Sequence, residues 1–471
     1  MSQVPDSASR DWPVPYPPID APAAAPEDEK GTADADHTRS LSRRKFLALA
    51  GATGASGAVA ATLGPRAWDR LFGGGAPVST SARSSTGRTL VLLTLYGGND
   101  GLNTVIPYQD PNYSRNRGTL AINPSTVLPI GEGFGFHPSL TGFKKLWEAK
   151  QLAVVQGVGF ANPNYSHFES MDIWQSGVPD SPVSTGWLGR WLDGTKSSPL
   201  RAIGIGPTLP TALTGEKYQG AAIAPGPMRI PGGPVETALY SSLAHTSRSE
   251  SQLMAETARS NANLLAVDRS IGTVLDRTAN SHPLHLKDSD SNSLAGGTEA
   301  ALAIANGGGG QSASNVLETQ LSIVANLILA EAETDVYSVE LGGFDTHADQ
   351  AGTQSTLLGQ VDTAVSAFLD AIGDSHRGKQ TVVMIYTEFG RRVSSNASAG
   401  TDHGWANVVF AAGPPVKGGF YGEPPSLANL SEGNMIYNTD FRRVYATVFD
   451  QIIGVDPTPF LGGTFPLLSF V

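Results

Sequence analysis

Four short groups of residues in this chain combine glycine or threonine with carboxylates and imidazoles: GGND at Gly97–Asp100, GGFDTH at Gly342–His347, EFGR at Glu388–Arg391 and TDHG at Thr401–Gly404. Asp345 and His347 are separated by one residue, so in an extended backbone both side chains point the same way and can share a cation. Asp oxygen and His nitrogen suit zinc or manganese. The glycine pair ahead of them lets the backbone approach a ligand closely. The competing reading, Asp345 as a cap and His347 half buried, accounts for each residue alone but not for the pairing.

Asn99 and Asp100 hold the equivalent place in GGND, either as metal ligands or as shapers of a turn. Glu388 follows the apolar run VVMIY almost directly. A carboxylate buried there needs a cation, or the nearby Arg391 or Arg392, to neutralise it. Asp402 and His403 offer a further ligand pair, with Asp402 alternatively orienting the imidazole. Ser166, in NYSHFES, stands at the start of an expected helix. Its hydroxyl is a nucleophile candidate in the positive field of the helix N-terminus, or the cap of a Ser-x-x-Glu box with Glu169. His167 binds substrate or metal, or packs, while His137 ahead of Pro138 is expected to be structural.

These groups act together only if the fold assembles them. Thr89–Tyr96, Val336–Leu341 and Thr381–Thr387 are consecutive apolar runs of the kind buried on both faces of a sheet, and each opens at its carboxyl end into one of the groups. Open parallel sheets bind ligands beyond those ends. TDHG instead precedes an apolar run, Asn407–Ala412, and Leu152–Val158 leads into the loop that carries Ser166. Helical patterns cover Ser139–Lys150, Ser166–Ser176, Asn315–Glu333, Ser355–Ile372 and Arg442–Ile453. The alternation predicts an α/β fold, a mostly parallel sheet covered by helices on both faces. Ser197–Gly233 is dense in Pro and Gly, and an irregular insertion over the sheet is expected at about 190–310, with an exposed mobile loop at Ser281–Gly310.

Residues 1–41 are rich in Pro, Ala, Asp and Glu and are expected to be a disordered leader. In 42–67, Arg43 and Arg44 precede a Gly/Ala-rich apolar stretch with small residues at Ala58–Ala60, the pattern of a twin-arginine export signal. That predicts passage through the twin-arginine translocase to the periplasm, cell wall or exterior, with no stable membrane span after cleavage. A linker at 68–87 and a single domain at 88–471 follow. The absence of cysteine excludes disulfides, iron–sulfur clusters, thiolate zinc sites and a cysteine nucleophile. A net charge of −11 disfavours nucleic acid as a partner. No GxGxxG after a strand, Walker motif or G-x-S-x-G elbow is present.

Taken in order, GGNDGLN (Gly97–Asn103), YSHFE (Tyr165–Glu169), GGFDTH, EFGR and TDHG, behind a twin-arginine signal, resemble one bacterial exported family, the domain-of-unknown-function family numbered fifteen-oh-one. The resemblance runs roughly from Arg88 to Gly454. That family looks like a branch of the alkaline phosphatase and sulfatase superfamily, whose members hold one or two divalent metals at strand carboxyl ends and attack phosphate or sulfate esters. The resemblance implies an alkaline-phosphatase-like fold. It implies one metal site of Asp345, His347 and His403, and a second to which Asn99 or Asp100 with Glu388 would contribute. Ser166 would be the nucleophile, with His167 and Arg391 in the catalytic group and Arg391 as anion contact. The cofactor would be one or two divalent ions among Zn, Mn, Mg and Ca, and the substrate a small-molecule or glycan ester. Glu388-Phe389 stands where the superfamily has an Asp-His pair, and its first metal aspartate is displaced into Asn99-Asp100. A non-catalytic member of the fold that binds an envelope polysaccharide or a partner protein is the alternative expectation.

Overall fold

The computed structural model describes residues 85–179, 183–195, 198–223, 234–245 and 313–471, with a few positions between 251 and 265. The chain divides into two compact units, Met1–Ser56 and Gly57–Val471, and every described residue belongs to the second. The expected leader, the twin-arginine signal, nearly all of the linker and the loop Ser281–Gly310 lie outside the described residues.

Among the described residues the central sheet has nine strands: β1 (Thr89–Leu95), β2 (Leu152–Gly159), β3 (Ala202–Ile205), β4 (Ala221–Ile223), β5 (Val336–Leu341), β6 (Thr381–Tyr386), β7 (Asn407–Ala412), β8 (Gly419–Tyr421) and β9 (Thr439–Asp440). Their order is β8-β2-β7-β6-β1-β5-β3-β4, with β9 alongside β2. β1 lies between β5 and β6 and is parallel to both, with Leu90 opposite Val336 and Val382. The runs without polar alternation are buried on both faces: all seven residues of β1 and all six of β6 are buried. This is the mostly parallel α/β sheet that the apolar runs predict.

β7 alone runs antiparallel, against β2 on one side and β6 on the other. Its amino end therefore lies at the rim where β1, β2, β5 and β6 end. For this reason TDHG, which precedes its strand, reaches the same rim as groups that follow theirs.

Helices cover the two faces. Against one face pack α1 (Thr141–Glu148), through Phe143 and Trp147, and the long helices α4 (Ala313–Leu329) and α5 (Gln350–Ile372). Against the other pack α2 (His167–Ser176), α3 (Trp187–Thr195) and α6 (Phe441–Thr447), through Trp174, Trp187, Trp191 and Tyr445. α4 delivers the chain to β5, and α5 carries it from β5 to β6. No described helix is long and apolar enough to cross a membrane.

The expected insertion needs correction at its start. Residues 202–205 and 221–223 are not laid over the sheet; they are β3 and β4, parallel additions beyond β5. Strands of four and three residues between prolines and glycines are too short to show a pattern, and only pairing to an existing edge makes them strands.

Candidate metal centre

Five loops meet at the rim. Gly97 has φ of +113°, and a Cβ there would lie 2.4 Å from the Asp345 nitrogen, so only glycine lets the loop after β1 lie on the loop after β5. The amide of Phe344 donates to the Tyr96 carbonyl at 3.1 Å across the same contact. Gly400 presses on the other side, where a Cβ would lie 2.2 Å from the His347 carbonyl carbon. The EFGR and TDHG segments run beside each other, Gly404 N–H donating to the Gly390 carbonyl at 2.8 Å. The loop after β2 supplies Tyr165, Ser166 and His167.

Arg391 binds these loops together. Its side chain is 1 % exposed. The guanidinium donates to the carbonyls of Gly98 (2.7 Å), Thr401 (2.8 Å) and Phe344 (2.9 Å), to that of Gly97, and to Asp345 Oδ1 (2.9 Å). It is therefore unable to serve as the anion contact expected of it. An arginine this deep is held by carbonyls that would otherwise be orphaned at the strand ends.

Four side chains converge: His167, Asp345, His347 and His403. Asp345 Oδ1 lies 3.1 Å from His347 Nε2 and 3.1 Å from His403 Nε2, and those two nitrogens are 2.8 Å apart. His167 Nε2 lies 3.5 Å from Asp345 Oδ2; it is buried and makes no hydrogen bond among the described residues. The opposite nitrogen of each ring faces an oxygen. His167 Nδ1 is 2.7 Å from Glu388 Oε1, His403 Nδ1 is 2.7 Å from the Tyr165 carbonyl, and His347 Nδ1 is 3.5 Å from Asp402 Oδ1.

A carbonyl or ionised carboxylate only accepts, so each of these contacts favours the proton on Nδ1 and leaves a lone pair on Nε2. Three Nε2 lone pairs then point at one carboxylate. Without a cation, two lone pairs 2.8 Å apart repel; with one, they are ligands. One ligand atom each from His167, Asp345 and His403 lie within 4.8 Å of one another, and His347 Nε2 stands beside two of the three, 3.1 Å from Asp345 and 2.8 Å from His403. The donor set fits a small divalent cation.

Charge in the cluster follows the same geometry. Asp345 first and Glu388 next push the pKa of His167 up to about 9, against the opposing effect of burial. Burial works to raise Asp345, but the neighbouring His167 and His403 imidazoles and the Arg391 guanidinium outweigh it and hold the carboxyl well below its usual range. The side chain of Asp345 is 48 % exposed and that of His403 16 %, so the cluster is open to solvent on one side. The ring of Phe389 stands 4.8 Å from that of His167 and 4.5 Å from that of His403, and fixes both planes.

The structure places Asp345 and His347 together as their spacing predicts, sets His403 beside them, and puts His167 beside Asp345 as well. Four other expectations change. Glu388 is fully buried and is matched to neither Arg391 nor Arg392; it accepts from Gly97 N–H (2.8 Å), the Thr387 hydroxyl (2.8 Å) and His167. Asp402 orients His347, not its neighbour His403, and accepts from the Asn396 amide at 3.1 Å. Asn99 pairs its amide with the Thr104 hydroxyl at 3.0 Å. Asp100 caps the turn at Gly101–Thr104 and forms a fully buried ion pair with Arg117. The second metal site expected from Asn99 or Asp100 with Glu388 thus has no converging ligands among the described residues.

Ser166 is the N-cap of α2, its hydroxyl accepting from Glu169 N–H at 3.4 Å, and it bonds to none of the four cluster residues. The reciprocal half of the capping box is replaced: the Ser166 N–H donates to the Asn164 side chain at 2.6 Å. The contact that sequence reasoning missed is the Tyr165 carbonyl, because a backbone oxygen carries no residue signature.

A profile of the family described as "Protein of unknown function (DUF1501)" matches residues 235–464, a span that holds GGFDTH, EFGR and TDHG. The resemblance carried by those motifs is borne out. A comparison with curated proteins finds no match. Among solved structures, a protein in the alkaline phosphatase superfamily from Vibrio parahaemolyticus is similar at 10 % identity and a TM-score of 0.38, covering 83 % of this chain and 75 % of that one. The lipoteichoic acid synthase LtaP from Listeria monocytogenes is similar at 9 % identity and 0.33, over 85 % and 80 %. The PsFucS1 sulfatase from Pseudoalteromonas sp. is similar at 9 % and 0.33, over 86 % and 74 %.

Proposed function

We propose that this chain is an exported, metal-dependent hydrolase of phosphate or sulfate esters that works at His167, Asp345, His347 and His403. The convergence of three imidazole Nε2 atoms on one solvent-open carboxylate supports this reading most directly. The motif resemblance supplies the ester class, and the Arg43-Arg44 segment supplies export.

His167, Asp345, His347 and His403 would hold one divalent ion. When bound, such an ion polarises the ester oxygens and lowers the pKa of water. Glu388, the Tyr165 carbonyl and Asp402 keep the rings turned with Nε2 inward. Arg391 keeps Asp345 ionised and in place. Ser166 caps a helix and, among the described residues, no hydroxyl hydrogen-bonds to the four residues, so the reading assigns attack on phosphorus or sulfur to water. The ester oxygen leaves with its electron pair.

The test uses purified protein from cytoplasmic and exported fractions, with metal content by elemental analysis and turnover of 4-nitrophenyl phosphate and sulfate. About one ion per chain is expected, with turnover that disappears in His403→Ala and protein that accumulates outside the cytoplasm. Protein that takes up no zinc, manganese or magnesium and cleaves neither ester would refute the proposal. The second reading is a non-catalytic binding protein of the same fold. It is favoured by the occupation of every Arg391 contact by carbonyls and Asp345, which leaves no guanidinium for an anionic transition state. Metal uptake with glycan binding and no turnover of either ester would support it.

A further inference from the structure

A cavity of about 410 Å³ opens beside β2 and β7, and none of the four cluster residues lines it. Its walls are mostly apolar: Leu102, Val105, Phe134, Val408, Leu427 and Met435. Size and lining are those of small-molecule pockets, which join an apolar body to a few placed polar groups.

The placed polar group is Gln156. It is 3 % exposed and lines the cavity. Along β2, Leu152 and Val154 face the same core as Val105, Phe136 and Phe410, while Ala153 and Val155 face the other. By strand alternation Gln156 continues the first row, toward the side where Phe134 and Val408 pack. The row thus ends in a primary amide where the core gives way to the cavity. That amide makes no hydrogen bond among the described residues. Its side-chain atoms are not sealed from solvent, so the amide is open to the cavity and free to pair with a molecule that enters it. The other candidate, Asn407, is already engaged: its Nδ2 donates to the Asn99 carbonyl (2.7 Å) and the Phe389 carbonyl (2.8 Å).

Charge narrows the ligand. Among the described residues, no lysine, arginine or histidine lines the cavity, while Asp110 and Glu132 do. An anion is disfavoured, which separates this pocket from any site for a phosphate or sulfate ester. We propose that the cavity is a second ligand site, for a small neutral or cationic molecule with an apolar aromatic or branched aliphatic body and one hydrogen-bonding group that pairs with Gln156. The proposal is independent of the hydrolase reading.

The experiment titrates the full chain with 1-aminoanthracene, an apolar aromatic amine, and follows its fluorescence. Saturable one-to-one binding is expected. Ala428→Trp, at an exposed position on the wall, should block the cavity without touching the core and abolish the signal. Gln156→Leu should weaken binding about threefold to tenfold, the effect of one hydrogen bond. The anionic dye 8-anilinonaphthalene-1-sulfonate should not compete, and His347→Ala should bind the amine as the parent does. Circular dichroism and melting checks the fold of each variant. The proposal is overturned by absence of saturable binding, by unchanged binding in folded Ala428→Trp, or by binding in Gln156→Leu equal to the parent.

Discussion

Two parallel strands of this sheet end in Gly-Gly followed at the same distance by an aspartate, and the two aspartates have opposite roles. After β1 the sequence is Gly97-Gly98-Asn99-Asp100; after β5 it is Gly342-Gly343-Phe344-Asp345. Asp100 is 1 % exposed, caps a helical turn, pairs with the equally buried Arg117 and accepts from the Gln350 amide at 2.5 Å. Asp345 is half exposed and faces three imidazoles. A glycine pair at a strand end creates room for a carboxylate, and the neighbour that fills the room decides whether it holds the fold or a ligand. Arg117 fills the first. The second meets Arg391 at 2.9 Å and is otherwise left to imidazole nitrogens on a side open to solvent.

The contrast breaks most visibly at Asp100. Asp100→Ala leaves Arg117 buried without its partner and is expected to cost about 3–5 kcal/mol of stability, measured by urea denaturation, with metal content unchanged. An unstable variant that also loses its metal would erase the distinction between the two aspartates. Asp345→Asn should do the reverse. Its amide oxygen still meets Arg391, so stability should stay within about 1 kcal/mol, while zinc affinity by competition with a chelator should fall by about a hundredfold or more.

A finer probe is Glu388→Gln, which removes the charge behind His167 while keeping an acceptor for it. Zinc affinity is expected to fall about tenfold. No change would mean that Glu388 serves only the Gly97 amide and the Thr387 hydroxyl.

A further prediction concerns a histidine outside the cluster. Burial pushes the pKa of His137 down from 6.5 to about 4, and its Nδ1 accepts from the Ser139 amide at 3.1 Å. Because the folded value lies below the unfolded one, the unfolded chain takes up a proton first as pH falls. Stability from this group is complete above pH 6.5, declines toward pH 4 and levels off below. The loss amounts to about 3 kcal/mol at most. His137→Asn, which keeps an acceptor for Ser139, should remove that part of the pH dependence in denaturation curves taken at several pH values.

Much of this was legible from residue order. β1, β5 and β6 appear as unbroken apolar runs because a strand covered on both faces has no solvent side to mark with polar residues. Asp345 and His347 appear as a pair because an extended backbone turns alternate residues to one side, and Thr346 between them is buried while they are not. β3 and β4 were not legible, since three or four residues carry no periodicity. The role of Glu388 was half legible: its burial follows from the run before it, but its partner comes from a loop more than two hundred residues away.

By itself, the order of residues determined that strands and helices alternate, that Asp345 and His347 share a face, that no thiolate chemistry is available, and which motifs the chain shares with the family it resembles. These are properties of neighbouring residues or of composition. The tertiary structure decided which of the matching carboxylates would be left open, that β7 runs against its neighbours and so delivers His403 to the rim, and that three rings would turn Nε2 inward. Each of those outcomes depends on which distant group fills a space or accepts a proton, and local sequence holds no record of that.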